Sequence, residues 1–220
     1  MLQFDIITIF PHILDSYLEE SILGRAQKNK LIAINMHDLR QWTSDKHRTV
    51  DDTPYGGGVG MVMMVEPISK ALAATVDPRK KTRTILLSPR GERFTQKKAT
   101  SLAQYEQIVF VCGRYEGVDH RVVELVDEEL SIGDFVLNGG ELPAVMAAEA
   151  VSRLIPGVLG KDESSVEESF SDSDTTEYPQ YTRPEVFTSD DGTVLKVPEV
   201  LLSGNHRAIA DWREKQRKNP

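Results

Sequence analysis

The sequence predicts an α/β fold with a mainly parallel sheet, and three observations support this class. Short segments rich in β-branched residues alternate with longer segments whose apolar residues recur at helical spacing. Glycine-rich turns follow several of the short segments, as expected where a strand leads into a helix. The 220 residues, 40% hydrophobic and 27% charged, suffice for one or two globular domains and exclude collagen, coiled coil and general disorder.

The elements of the first 160 residues follow in the order strand, helix, strand. Residues 4–10 read as a buried strand, and after Pro11 the apolar residues recur every three or four positions, which predicts a helix. A strand at 31–36 and a polar loop at 41–60 come next, and then a helix at 66–75 with Pro67 early in it. The same patterns predict strands at 84–87 and 107–112 and helices at 95–105, 119–126 and 141–154.

The amino-acid composition of the chain changes after Pro156. Residues 161–177 are rich in Asp, Glu, Ser and Thr and contain little to bury, which is typical of a flexible linker. A hairpin is expected at 187–197 and a helix at about 204–217. The predicted organisation is a larger domain at 1–160, an acidic linker at 161–177 and a small, mainly helical domain at 178–220.

The charge distribution restricts the classes of partner. The formal charge is -8, but residues 161–191 alone carry ten acidic against two basic side chains. Elsewhere Lys and Arg side chains cluster at 79–98 and 213–218. Because salt screens distant charges, the acidic segment does not prevent RNA from binding at another surface. One cysteine, Cys112, excludes an intrachain disulfide, and the longest apolar runs are far below the ~18 residues of a membrane span. We expect a cytoplasmic protein without a membrane segment.

The common nucleotide and hydrolase motifs are absent. The chain lacks GxxxxGK[ST] and GxSxG, the glycines at 58–63 fail GxGxxG, and the five histidines lack metal-ligand spacing. Three glycine-rich turns remain, at 87–91, 112–117 and 131–143, each placed where it can follow a strand. Because ligands of open α/β sheets bind at the carboxyl ends of strands, the turns could line one pocket. Each turn taken alone could equally be a tight connection.

Seven motifs together resemble the TrmD family of bacterial tRNA (guanine-N1)-methyltransferases, in the SPOUT superfamily. They are PYGGGVGMVM at 54–63, LSP at 87–89, GRYEG at 113–117, SIGD at 131–134, GGELP at 139–143, IPGVLG at 155–160 and YTRP at 181–184. The resemblance implies a trefoil-knotted α/β domain, S-adenosylmethionine as methyl donor, a homodimer, and methylation of the tRNA guanosine at position 37, beside the anticodon. The alternative is a non-enzymatic RNA-binding module or a catalytically drifted relative.

The resemblance also implies roles for individual residues. The donor-binding residues would be Leu87, Ser88, Pro89, Gly113, Tyr115, Glu116, Ile132, Gly133, Asp134, Phe135, Val136, Leu137, Gly139, Gly140 and Pro143. Glu168 would be the general base and Arg153 the group that stabilises charge on the guanine O6; Glu167 and Asp172 remain alternatives for the base. Mg2+ bound through the RNA remains possible, and Lys46, His47 and Arg48 are suited to RNA phosphates.

Two further expectations concern single positions. Gly140 is expected to leave room for the ligand, so that valine there would abolish donor binding without disturbing the fold. The chain departs from the family pattern at Phe135, Asn138 and Gln180, where tyrosine, threonine and histidine are common. The acidic linker also departs from it, by one extra residue, which leaves its register open.

Overall fold

The computed structural model describes residues 1–159 and 176–217. The chain divides into two compact units, Met1–Gly160 and Lys161–Pro220. The strands are β1 Leu2–Thr8, β2 Ile32–Asp38, β3 Asp51–Asp52, β4 Val62–Met63, β5 Thr82–Arg93, β6 Gln107–Cys112, β7 Glu128–Ser131, β8 Val186–Thr188 and β9 Val194–Lys196. The α-helices are α1 Asp15–Glu19, α2 Ser21–Lys28, α3 Val65–Thr75, α4 Gln96–Leu102, α5 Glu141–Ser152, α6 Glu199–Leu202 and α7 His206–Gln216.

The first unit is built on a five-stranded sheet in the order β2-β1-β6-β5-β7. Every pairing in this sheet is parallel. The α/β class with a mainly parallel sheet is therefore confirmed. The trefoil knot that the resemblance implies stays a prediction.

Helices cover both faces of this sheet, which explains why β6 is buried throughout and apolar from Ile108 to Cys112. Phe4 and Phe110 face one buried cluster, formed with α2, α4 and α5. Ile7 and Val109 face the other, formed with α3. Successive side chains of a strand point to opposite faces, so a strand covered on both sides is apolar on both faces. The exception in β6 is Gln107, whose buried amide donates to the Asp5 carboxylate.

Several predicted boundaries were wrong, for local reasons. The helix expected after Pro11 is divided into α1 and α2 where Ser21 adopts a φ of 52°. The helix expected at 119–126 is a short 3-10 helix, His120–Leu125, followed by the unpredicted strand β7. The loop expected at 41–60 contains the 3-10 turn Leu39–Trp42 at its start and β3, which pairs with β4.

The second unit is small, and most of its described side chains are exposed. Strands β8 and β9 form the expected antiparallel hairpin. Helix α7 lies where a helix was expected, and its Trp212 contacts Tyr181 edge-on at a centroid distance of 6.2 Å. Arg213 lies over the ring of Tyr178. None of the helices in the described ranges is long and apolar enough to cross a membrane.

Candidate functional site

A cavity of about 270 Å³ lies at the carboxyl ends of β6 and β7 and beside a bulge in the middle of β5. Its walls are the three glycine-rich turns, and we call it the three-turn cavity. Every predicted donor-binding residue except Asp134 lines it, together with Arg114, Gly117, Leu130, Ser131 and Asn138. The parallel sheet brings the turns together, because β5 lies between β6 and β7 and all three strands run in the same direction.

The first wall is a bulge in β5. Leu87 and Glu92 of β5 both pair with Leu130 of β7, so the residues between them leave the ladder. Ser88 and Pro89 lie in this bulge and face the cavity. The turn expected at 87–91 is thus an interruption within one long strand, and β5 continues to Arg93.

The second wall, residues 113–117, is held by backbone hydrogen bonds on two sides. Gly140 donates its N–H to the carbonyl oxygen of Gly113 at 3.0 Å, and Arg114 and Gly139 form an antiparallel bridge. On the other side, Glu116 donates its N–H to the carbonyl oxygen of Met61 at 3.0 Å. The segment just before α3, which contains the second half of the 54–63 motif, therefore holds the turn on the side opposite Gly140.

Tyr115 occupies the centre of this second wall. It has a φ of 60°, an uncommon backbone conformation for a residue with a side chain. Its side chain is half-exposed. Burial, followed by the nearby charge of Asp51, raises the pKa of the Tyr115 hydroxyl, so the group stays protonated at neutral pH.

The third wall, residues 131–140, leads into α5. Its last residue, Gly140, is packed more tightly than the sequence indicated. A Cβ on Gly140 would lie 2.8 Å from the Cα of Cys112 and 3.1 Å from the Cβ of Leu87. Side-chain atoms at this position would therefore meet the backbone of β6 before they filled ligand space. The expectation that valine at Gly140 leaves the fold undisturbed was wrong.

Three predicted site residues lie elsewhere or outside the described ranges. Asp134 is exposed and approaches Arg93 at 3.9 Å. Arg153 is half-buried at the C-terminal end of α5, where its N–H bonds to the carbonyl oxygen of Glu149. Glu168 lies outside the described residues, as do the alternatives Glu167 and Asp172. The role of Glu168 and its relation to Arg153 stay predictions.

Sequence reasoning missed the charged pair Arg114 and Glu141 beside the cavity. The Arg114 Nη2 lies 2.9 Å from Glu141 Oε2, and the Glu141 side chain is almost completely buried. Both residues belong to quoted motifs, GRYEG and GGELP, but nothing in either motif indicates that the two charges meet. Cys112, beneath the same region, is fully buried, and burial and the Glu141 charge raise the pKa of its thiol.

A family model and individual relatives both match this chain, and their descriptions agree. The family model described as tRNA (Guanine-1)-methyltransferase TrmD matches residues 2–220. The tRNA (guanine-N(1)-)-methyltransferase of Geobacter sp. (strain M21) is 51% identical over 98% of this chain and 84% of the relative. Those of Carboxydothermus hydrogenoformans and Bacillus pumilus are 52% and 49% identical, again over 98% of this chain and over 82% and 86% of the relatives. The chain belongs to the tRNA (guanine-1)-methyltransferase family TrmD.

Proposed function

We propose that this protein transfers a methyl group from S-adenosylmethionine to N1 of the tRNA guanosine at position 37. The observation that carries the proposal is the three-turn cavity, which gathers nearly all the residues that the family resemblance assigned to the donor. Family membership supports the reaction class, and no finding favours a non-enzymatic or drifted relative.

The cavity walls fit a nucleoside-containing donor. Leu87, Ile132 and Leu137 supply apolar surface, and the glycines between them leave stretches of wall without side chains. A mainly apolar pocket with a few fixed polar groups is the usual form of a small-molecule site. When bound, S-adenosylmethionine supplies a methyl group on a positively charged sulfur.

The methyl transfer requires a base on the protein. Guanine N1 carries a proton, which Glu168 would accept while the N1–methyl bond forms and the methyl–sulfur bond breaks. Negative charge spreads to the guanine O6 as the proton leaves, and Arg153 would stabilise it. Such a base typically contributes about 10² to 10⁴ in rate.

The RNA would contact basic side chains on the surface of the first unit. Lys46, His47 and Arg48 are exposed in a turn whose backbone is held by the Asp45 carboxylate. The Asp45 Oδ1 accepts the N–H of Thr49 at 2.9 Å, so the three basic side chains are presented from an ordered turn. Phosphate contacts need such side chains. With tRNA as the substrate, we expect the protein to act in the cytoplasm, and Mg2+ bound through the RNA is compatible with this reaction.

A second copy of this chain would complete the site. Phe10, Ile13, Tyr17, Leu142 and Met146 are each between 43% and 50% exposed. The Tyr17 hydroxyl donates to the Glu149 carboxylate, which joins α1 to the outer face of α5. Large apolar side chains that stay exposed on neighbouring elements are typical of association surfaces. We therefore assign this face to a homodimer, in which the donor cavity of one copy works with Glu168 of the other.

The test is transfer of labelled methyl from S-adenosylmethionine to an unmodified tRNA transcript, followed by mapping of the product base. We expect label on N1 of guanosine 37. A transcript with adenosine at position 37 serves as the matched control and should accept no label. Donor binding without transfer to any transcript would contradict the proposal and favour a drifted relative.

A further inference from the structure

The buried pair of Arg114 and Glu141 connects three parts of the first unit. Arg114 belongs to the second wall of the three-turn cavity, and Glu141 is the first residue of α5, directly after the third wall. Arg114 Nε donates to Glu141 Oε2 at 2.9 Å, and its Nη2 lies 2.9 Å from the same oxygen. The Thr8 hydroxyl at the end of β1 donates to Glu141 Oε1 at 2.6 Å.

The surroundings hold Arg114 in one position. Its guanidinium lies over the Phe10 ring at 4.8 Å, and the Phe10 N–H donates to the Thr8 hydroxyl. The side chain passes directly over Gly139, where an added Cβ would lie 2.1 Å from Arg114 Nε. The absence of a side chain at Gly139 is therefore what lets Arg114 reach Glu141.

Only one member of the pair can touch a ligand. Arg114 lines the three-turn cavity, whereas Glu141 is 1% exposed and does not line it. Glu141 also stands at the N-terminus of α5, where the helix dipole favours a negative charge. Removing one partner of a buried ion pair leaves the other charge uncompensated, so neutralising Glu141 would release Arg114 from its position.

We propose that Glu141 is a positioning residue for methyl-donor binding. Through Arg114, it holds the turn at 113–117 against the loop at 131–140, so that two cavity walls keep the spacing that the donor needs. The inference rests on the proposed function, because it takes S-adenosylmethionine as the ligand of the three-turn cavity.

The experiment compares Glu141→Gln with Glu128→Gln in the full chain. Glu128 is a matched control: Lys98 Nζ lies 2.6 Å from its Oε2, Arg83 Nε lies 3.0 Å from its Oε1, and neither bond reaches the cavity. Calorimetric titration with S-adenosylmethionine should show Kd raised about 5- to 150-fold in Glu141→Gln, the usual range for coupling between sites. Glu128→Gln should keep the wild-type Kd although its Tm falls.

Methyl-transfer kinetics separate positioning from general damage. In Glu141→Gln the KM for the donor should rise while kcat at saturating donor stays close to that of the wild type, because bound donor restores the wall spacing. A second variant, Glu141→Asp, keeps the negative charge but withdraws the carboxylate from Arg114 by one methylene, and its Kd should rise in the same direction. If Glu141→Gln does not fold, this second variant still tests the positioning role.

Two results would overturn the inference. One is a wild-type Kd in both Glu141→Gln and Glu141→Asp. The other is an equal loss of affinity in Glu128→Gln, which would make the effect one of overall stability. Failure of the wild-type protein to bind S-adenosylmethionine would instead contradict the proposed function, so the two failures are distinguishable.

Discussion

Alanine at Gly140 tests the packing beneath the three-turn cavity. The new Cβ would lie 2.8 Å from the Cα of Cys112 and 3.1 Å from the Cβ of Leu87, whereas carbon atoms pack best at about 3.5–4.0 Å. Either β6 or the start of α5 must move, and overpacking of this kind costs about 1–3 kcal/mol. The lower chain entropy of unfolded alanine offsets about 0.4–1 kcal/mol, which leaves a loss of about 1.3 kcal/mol at the middle of both ranges.

The matched control is Gly113→Ala in the same cavity. Its Cβ would lie 3.4 Å from Val118 Cγ1 and 3.9 Å from the Leu87 carbonyl oxygen, which are ordinary contacts. In thermal unfolding without ligand, Gly140→Ala should lower Tm by roughly 3–5 °C for a chain of this size, while Gly113→Ala should leave Tm unchanged or slightly higher. Equal Tm values in the two variants, or a larger loss in Gly113→Ala, would refute the packing argument.

Three further predictions concern the base, the shared site and acid stability. Glu168→Gln should lower methyl transfer by about 10² to 10⁴ with donor Kd unchanged, whereas an active Glu168→Gln beside an inactive Asp172→Asn would transfer the role of base to Asp172. Heterodimers of Glu168→Gln with a donor-deficient chain, Leu137→Asp, should show about half the wild-type rate, since one of two equivalent sites is intact; background activity in folded heterodimers would reject the shared site. Burial raises the pKa of the Asp5 carboxyl, but hydrogen bonds from His37, Gln107, Asn35 and Gln3 hold it below its ordinary 3.8. The stability that Asp5 contributes is therefore present above pH 3.8 and is lost as pH falls through the lower pKa of the folded state. Urea unfolding from about pH 5 to pH 2 should show a smaller loss of unfolding free energy in Asp5→Asn than in the wild type. Parallel plots of unfolding free energy against pH for the two proteins would contradict this.

Periodicity predicted the parts of the fold that depend on burial. Strands such as β1 and β6 and the apolar helix α5 were predicted because their side chains must match a covered face. Strand β7 was missed because its only fully apolar position is Leu130, which leaves no alternation to recognise. The β5 bulge was missed for a different reason: Ser, Pro and Gly at 88–91 indicate a turn, while the return of Glu92 and Arg93 to the ladder depends on β7.

The same distinction applies to the candidate site. Glycine turns after strands predicted the cavity, because backbone that approaches a ligand closely favours residues without side chains. The Arg114–Glu141 pair depends on two segments 27 residues apart meeting in space, and single motifs carry no information about that. Gly140 was misjudged because the sequence shows that a small residue is needed and does not show whether ligand or β6 takes the space.

The departures from the family pattern fall where the structure tolerates them. Phe135, Asn138 and Gln180 are all exposed, and Phe135 retains 54% of its accessible surface. Loss of a hydroxyl or an imidazole at such a position leaves no buried polar group unpaired, so the cost in stability is small. By contrast, the residues that fix the cavity spacing, Gly139, Gly140 and Glu141, keep the GGELP motif. Since these residues act through backbone approach and a buried charge, the wall can change its exposed side chains while the spacing between its turns stays fixed.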